Sequence, residues 1–130
     1  YILIDTAGVP DVILIASGSE VQLAVGARVE LEKQGVKARV VSLPSWEVFD
    51  VQPRDYRESV LPPQVTARLA IEAGVAQGWH KYVGDDGRVM SIERFGASAP
   101  YKVLAEKLGF TVETVVAACK QMLSVITRKM

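Results

Sequence analysis

Gly18-Ser19-Glu20 is the best-placed group in this sequence for chemistry. It follows five consecutive apolar residues, Val12 to Ala16, and precedes an amphipathic stretch. Open α/β sheets bind ligands beyond the carboxyl ends of their strands. The free backbone N–H groups of a helix starting at Ser19 could hold an anion there. Ser45 follows the next strand-like run and falls at the same end of the sheet. Gly18, Ser19 and Ser45 therefore form a candidate anion or regulatory site. The turn has a single glycine and matches neither GxGxxG nor the GxxxxGK spacing that wraps a pyrophosphate. The competing structural reading is that Ser19 caps a helix and Gly18 makes a turn.

Other reactive residues stand alone. His80 is the only histidine, and Trp79, Lys81 and Tyr82 around it offer no carboxylate or metal-ligating partner. It reads as a surface or interface residue. Cys119 falls on the apolar face of a helix, where a thiol is inert. Ser17 and Ser19 do not fit G-x-S-x-G. Glu72 ends a strand-like run and Glu93 lies just beyond another, and both read as hydrogen-bonded structural acids. Trp79, Tyr82, Phe95 and Tyr101 either mark an interface or fill the end of the core. On these grounds no residue is assigned to catalysis, to a cofactor or to a metal.

The elements that would position these residues follow from hydrophobic pattern. Val12–Ala16 is an unbroken apolar run, as expected of a parallel strand buried on both faces. Ile2–Asp5 is a short strand, and the Ala7–Pro10 turn predicts that it runs antiparallel to Val12–Ala16 at a sheet edge. A helix is expected from Ser19 to Lys33, closed by Gly35, and a strand over Val36–Leu43. Ser45 should cap a short helix, Trp46 to Asp50, and a second should begin at Pro53 and end before Pro62. Val65–Glu72 reads as the third core strand, followed by an Ala73-Gly74 turn. A helical turn is expected around Trp79–Tyr82, a turn at Asp85–Gly87 and the last strand over Arg88–Ile92. Ser98 and Gly109 should cap one more helix. After Thr111, Val112, Val115, Val116, Cys119, Met122, Leu123 and Ile126 repeat at helical spacing. The order predicts a three-layer α/β/α domain with about five mostly parallel strands and one antiparallel edge strand.

Composition sets outer bounds. The 130 residues fit one domain, 1–130, with no internal boundary. Lys plus Arg equals Asp plus Glu, 15 each, so no basic field draws nucleic acid or an anionic membrane. No apolar run approaches the roughly 20 residues that span a bilayer. One cysteine rules out an internal disulfide and fits a cytoplasmic protein. The start at Tyr1, already in strand-like sequence, reads as a piece of a longer polypeptide.

The stretch Asp11-Val-Ile-Leu-Ile-Ala-Ser-Gly-Ser-Glu-Val21 resembles the opening of the C-terminal domain of transketolases. The likeness runs on through Gly35–Ser45, Tyr56–Pro62, Thr66–Arg68, Glu72–Gly74, Lys81–Gly84, Arg94–Pro100 and Gly109–Thr111, nearly the whole chain in order. The resemblance implies part of a transferase that moves a two-carbon ketol unit from ketose phosphates to aldose phosphates. It implies thiamine diphosphate and a divalent metal, Mg or Ca, held by the family's first two domains. Those domains also carry the family's catalytic glutamate, histidines and arginines, so none is carried over to a residue here. The implied role of this chain is packing against the remaining domains and against a second identical subunit in a homodimer. Alone it would be inactive. His80 stands where the family often has an aromatic residue, and Trp46 where it usually has a smaller or polar one. Related C-terminal domains occur in β-chains of 2-oxoacid dehydrogenases and in deoxyxylulose-phosphate synthases. A stand-alone anion-binding module is the reading from a different class.

Overall fold

The computed structural model describes residues 1–72, 78–91 and 111–129. The expected Ala73-Gly74 turn, the end of the last strand at Ile92, and Glu93, Phe95, Ser98, Tyr101 and Gly109 lie outside the described residues.

Five strands form one sheet: β1 (Ile2–Ile4), β2 (Val12–Ala16), β3 (Ala38–Ser42), β4 (Arg68–Ile71) and β5 (Arg88–Met90), in the order β1-β3-β2-β4-β5. All neighbours pair in parallel except β1 with β3. The helices are α1 (Val21–Lys33), α2 (Trp46–Asp50), α3 (Arg54–Val60), α4 (His80–Val83) and α5 (Val112–Lys129).

β2 lies at the centre, and its apolar run has a physical cause. Side chains alternate between faces along a strand. Val12, Leu14 and Ala16 join one core with α1 and α5, while Ile13 and Ile15 join the other with α2, α3 and α4. All five residues are fully buried. Helices on both faces make the three-layer α/β/α arrangement that the pattern predicts.

The expected neighbour of the first strand needs correction. β1 is an antiparallel edge strand, but it pairs with β3, not β2 (Ile2 opposite Val41, Ile4 opposite Val40). Both edges of β2 are already occupied, by β3 and by β4. Residues 5–11 carry the chain past β3, two strand spacings or about 10 Å.

The start of α1 also differs from expectation. Ser19 does not cap it. Gly18, at φ +60°, opens a single 3-10 turn over Gly18–Glu20, and the Val21 N–H donates to the Gly18 carbonyl. That turn uses a donor that a side-chain cap would otherwise take. The Ser19 hydroxyl donates instead to Glu20 Oε2 at 3.3 Å.

Two helix ends follow the sequence, while β3 is shorter than the expected Val36–Leu43. Gly35 (φ +80°) ends α1 in a Schellman motif, with Val36 N–H donating to the Leu31 carbonyl at 2.9 Å and Gly35 N–H to Glu32 at 3.1 Å. Thr111 caps α5: its Oγ1 accepts from Thr114 N–H and its own N–H donates to Thr114 Oγ1, both at 3.1 Å. Val115, Val116, Cys119 and Met122 of α5 are buried as the spacing predicts. β4 is shorter than the run Val65–Glu72, because the Val65 N–H is held in a turn by the Pro62 carbonyl at 3.0 Å.

Candidate functional site

The carboxyl ends of β2, β3 and β4 open into a cleft of about 300 Å³. Ser17 comes from the end of β2, Ser45 and Trp46 from the turn after β3, and Glu72 from the end of β4, with Glu47 and Trp79 completing the wall. This is where an open α/β sheet holds a ligand. Of the three candidate residues, Ser45 lines the cleft, whereas Gly18 and Ser19 stand outside its lining.

Two of the polar groups facing this cleft are already engaged. Ser45 Oγ accepts the Val48 N–H at 3.3 Å, the capping bond expected for α2. Trp79 Nε1 donates to Glu72 Oε1 at 3.1 Å, so Glu72 is hydrogen-bonded, as its position suggests. Two carboxylates, Glu47 and Glu72, line the cleft with no Lys or Arg among the described lining. An anion placed there would meet like charge.

Of the two alternatives left open for the aromatic residues, the described ones take the second. Trp79 (1% exposed) and Tyr82 (3%) fill the core. Trp46 meets Trp79 edge-on at 5.2 Å between centroids, and Tyr82 packs on Phe49 at 6.1 Å. These rings join α2 to α4 beneath the strand ends.

A second polar group, on the outer side of these rings, has no signal in local sequence. Asp50, at the end of α2, accepts from Lys81 Nζ at 2.6 Å and from the Tyr82 hydroxyl at 3.1 Å. The Lys81 ammonium holds the Asp50 carboxyl below the usual carboxylate range, and Asp50 in turn raises Lys81. Burial pushes the Tyr82 hydroxyl up. The partners are 31 and 32 residues apart, so only the fold brings them together. Carboxylate, ammonium and phenol satisfy one another, and they tie α2 to α4.

The remaining reactive groups are structural in their surroundings. His80 is exposed and lies 3.1 Å from Asp85 Oδ1, a carboxylate five residues on that its immediate neighbours do not reveal. Burial pushes the Cys119 thiol up to about 12, far from thiolate chemistry at neutral pH. No group of three or more His, Cys, Asp or Glu among the described residues could hold a metal ion. No helix among them is long and apolar enough to cross a membrane.

Comparison with known proteins gives this scaffold its family. A family model described as "Transketolase-like TK C-terminal domain" matches residues 1–111. The chain is 54% identical over 123 residues to a transketolase of Nostoc sp., covering 95% of this chain and 18% of that protein. It is 56% identical over 123 residues to transketolase 1 of Escherichia coli, covering 95% of this chain and 19% of that protein. A crystal structure of a mutant transketolase from Pichia stipitis superposes with a TM-score of 0.84 at 38% identity, over 98% of this chain and 18% of that one. The chain thus spans less than a fifth of the length of each of these three relatives. On the family model, the sequence identity and the shared fold together, this chain belongs to the transketolase-like C-terminal domain family.

Proposed function

We propose that this chain is the C-terminal domain of a transketolase, which transfers a two-carbon ketol unit from a ketose phosphate to an aldose phosphate. Residues 1–130 form one domain in this reading, and the domain serves the enzyme by packing. The observation that carries the reading is identity above half along nearly the whole chain to full-length transketolases. The domain's partners are then the remaining domains of the same polypeptide and a second identical subunit. The lone, buried Cys119 suits a reducing compartment, and we place the enzyme in the cytoplasm.

Thiamine diphosphate and a divalent metal belong to this reaction. When bound, they supply the carbanion chemistry of ketol transfer. Magnesium and calcium are held by clustered oxygen ligands. The described residues offer no such metal-binding group, and the strand-end cleft turns carboxylates toward a would-be diphosphate. They do not fit the cofactor, and no step of the transfer is assigned to them.

The test is activity of the complete polypeptide. With thiamine diphosphate and magnesium it should move a ketol unit between sugar phosphates, while the 130-residue chain alone should not. Absence of transfer by the complete polypeptide, or transfer by this chain alone, overturns the reading.

A further inference from the structure

We propose that the polar groove between α2, α3 and α4 binds the carboxylate of a small apolar acid, with Arg57 as its principal ligand. The groove lies apart from the strand-end cleft, and the proposal does not rest on the transketolase reading.

The groove encloses about 470 Å³. Asp50 reaches it from α2, Arg57 and Glu58 from α3, Arg68 from the start of β4, and Lys81 and Tyr82 from α4. Its charges do not cancel. Lys81 is taken up by Asp50 at 2.6 Å. Glu58 is taken up by Arg54 at 3.2 Å, a residue outside the lining. That leaves the guanidinium groups of Arg57 and Arg68, and neither has a carboxylate at ion-pair distance among the described residues.

The two arginines are held differently. Arg68 donates to main-chain carbonyls alone, those of Leu61, Pro62, Val65 and Tyr82, at 2.8 to 3.2 Å. Carbonyls orient a cation without neutralising it. Burial lowers the Arg68 pKa, yet an arginine remains charged in a protein. Arg57 donates through Nε to the Gln52 carbonyl at 3.1 Å, and its terminal amino groups make no hydrogen bond among the described residues. The Asp50 carboxyl is lowered chiefly by its hydrogen bond from Lys81 and least by Arg57, which acts from beyond bonding distance. The terminal amino groups of a guanidinium present paired donors that match the two oxygens of a carboxylate. Both arginines are half-buried, so a charge met there is less screened than on open surface.

The walls select the ligand. Asp50 and Glu58 repel a doubly charged phosphate more strongly than a single carboxylate. Phe49, Leu61 and Pro63 make the rest of the lining apolar. Small-molecule sites combine such walls with a few fixed polar groups. A singly charged acid with a short apolar body meets both conditions. The Asp50–Tyr82 bond and the carbonyls on Arg68 hold the groove in shape beforehand, which lowers the ordering cost of binding.

The experiment uses the complete polypeptide, with benzoate as the probe and benzamide and inorganic phosphate as comparators. Hydrogen exchange of the α3 and α4 amides is followed as each is added at millimolar concentration, and the β2 amides report an intact fold. Benzoate should slow exchange in α3 and α4. Benzamide, with the same ring but no charge, and phosphate should not. Arg57→Gln should weaken the benzoate effect about tenfold. Arg57→Lys keeps the charge without the paired donors and should fall between Arg57→Gln and the parent. Glu58→Gln removes a like charge from the wall and should strengthen the effect about twofold. Should Arg57→Gln cost β2 its protection, Arg57→Lys and Glu58→Gln decide the matter. Benzoate that leaves α3 and α4 exchange unchanged overturns the proposal, and so does slowing that survives Arg57→Gln. Equal slowing by benzamide also overturns it, because the groove would then be blind to charge. Stronger slowing by phosphate does the same, giving the groove to doubly charged anions. None of these readouts depends on ketol transfer, so failure here is distinct from failure of the transketolase reading.

Discussion

Arg39 Nε lies 2.9 Å from Asp5 Oδ1, joining the middle of β3 to the loop that leaves β1. The same guanidinium donates to the carbonyls of Ser59 and Val60 at 3.0 and 3.1 Å, at the end of α3. Arg39 is buried, while the Asp5 side chain is about half exposed. One buried cation thus anchors an edge strand and a helix terminus to the sheet.

The two partners should therefore not be equivalent. Arg39→Met strands two carbonyls that water reaches poorly, and should cost about 2–3 kcal/mol. Asp5→Asn keeps a hydrogen-bond acceptor at a wet position, and should cost about 1 kcal/mol or less. Denaturant unfolding of both variants measures the difference. Equal losses would mean that the ion pair, not the carbonyl contacts, carries the stabilisation.

Acid should act through two named carboxyls. The hydrogen bond from Arg39 lowers the Asp5 pKa, and the hydrogen bond from Lys81 lowers that of Asp50. A group depressed in the folded state binds its proton less readily there than when unfolded. Its contribution is present above the unfolded value, about 3.9, and is lost as pH falls through the lower folded value. The melting temperature should thus hold steady near pH 6 and fall below about pH 4. Asp5→Asn combined with Asp50→Asn should flatten that acid limb. An unchanged limb in the double variant would assign it to other carboxyls.

These contacts mark where reading the sequence stops. The β2 run is legible because both faces of that strand are buried, and α5 because its buried residues recur at helical spacing. Ser45 is legible because a cap acts within three residues of itself. The partner of β1 is not, because local sequence sets a strand's direction but not which sheet edge is vacant. The start of α1 was shifted by Gly18, whose φ of +60° makes a turn that Ser19 cannot override. In the candidate site, the serines stand in sequence next to their strands. The carboxylates that share the cleft, Glu47 and Glu72, come from segments joined only by folding. The Asp50–Lys81 contact is invisible for the same reason.

Gly26 of α1 faces Val112 at the start of α5. A Cβ built there would lie 2.7 Å from Val112 Cγ2. Replacing glycine by alanine within a helix normally stabilises by roughly 0.5–1 kcal/mol. Here the branched, stiff Val112 side chain must move, and overpacking of this kind costs about 1–3 kcal/mol. Gly26→Ala should therefore destabilise the fold by about 1–2 kcal/mol in denaturant unfolding. Adding Val112→Ala should make the Gly26→Ala change neutral or favourable. A simple sum of the two losses would show that the helices separate instead.

The strand-end cleft can be tested with ligands. With Ser45 Oγ bonded to the backbone and Glu47 and Glu72 in the wall, phosphate and pentose phosphates should leave the melting temperature of this chain unchanged. A ligand bound only by the folded state raises it by mass action, about 2.7 kcal/mol at a hundred times its dissociation constant. A rise that Gly18→Ala, Ser19→Ala or Ser45→Ala removes would establish the anion site.

Cys119 provides a probe of the larger core. It sits fully buried between Val115 and Met122 on α5, within the cluster that α1 and β2 share. Burial disfavours the thiolate, and the thiol is pushed up to about 12. The thiolate is the species that attacks alkylating or disulfide reagents. At pH 8 the native protein should therefore be unreactive, and modification should proceed only through opening of the α1–α5 layer. Gly26→Ala should then raise the labelling rate in proportion to the stability it removes, about tenfold per 1.4 kcal/mol when opening is fast relative to reaction. Labelling that keeps the parent rate in that variant would show that Cys119 is reached by fraying of α5 alone, leaving the α1–α5 contact closed.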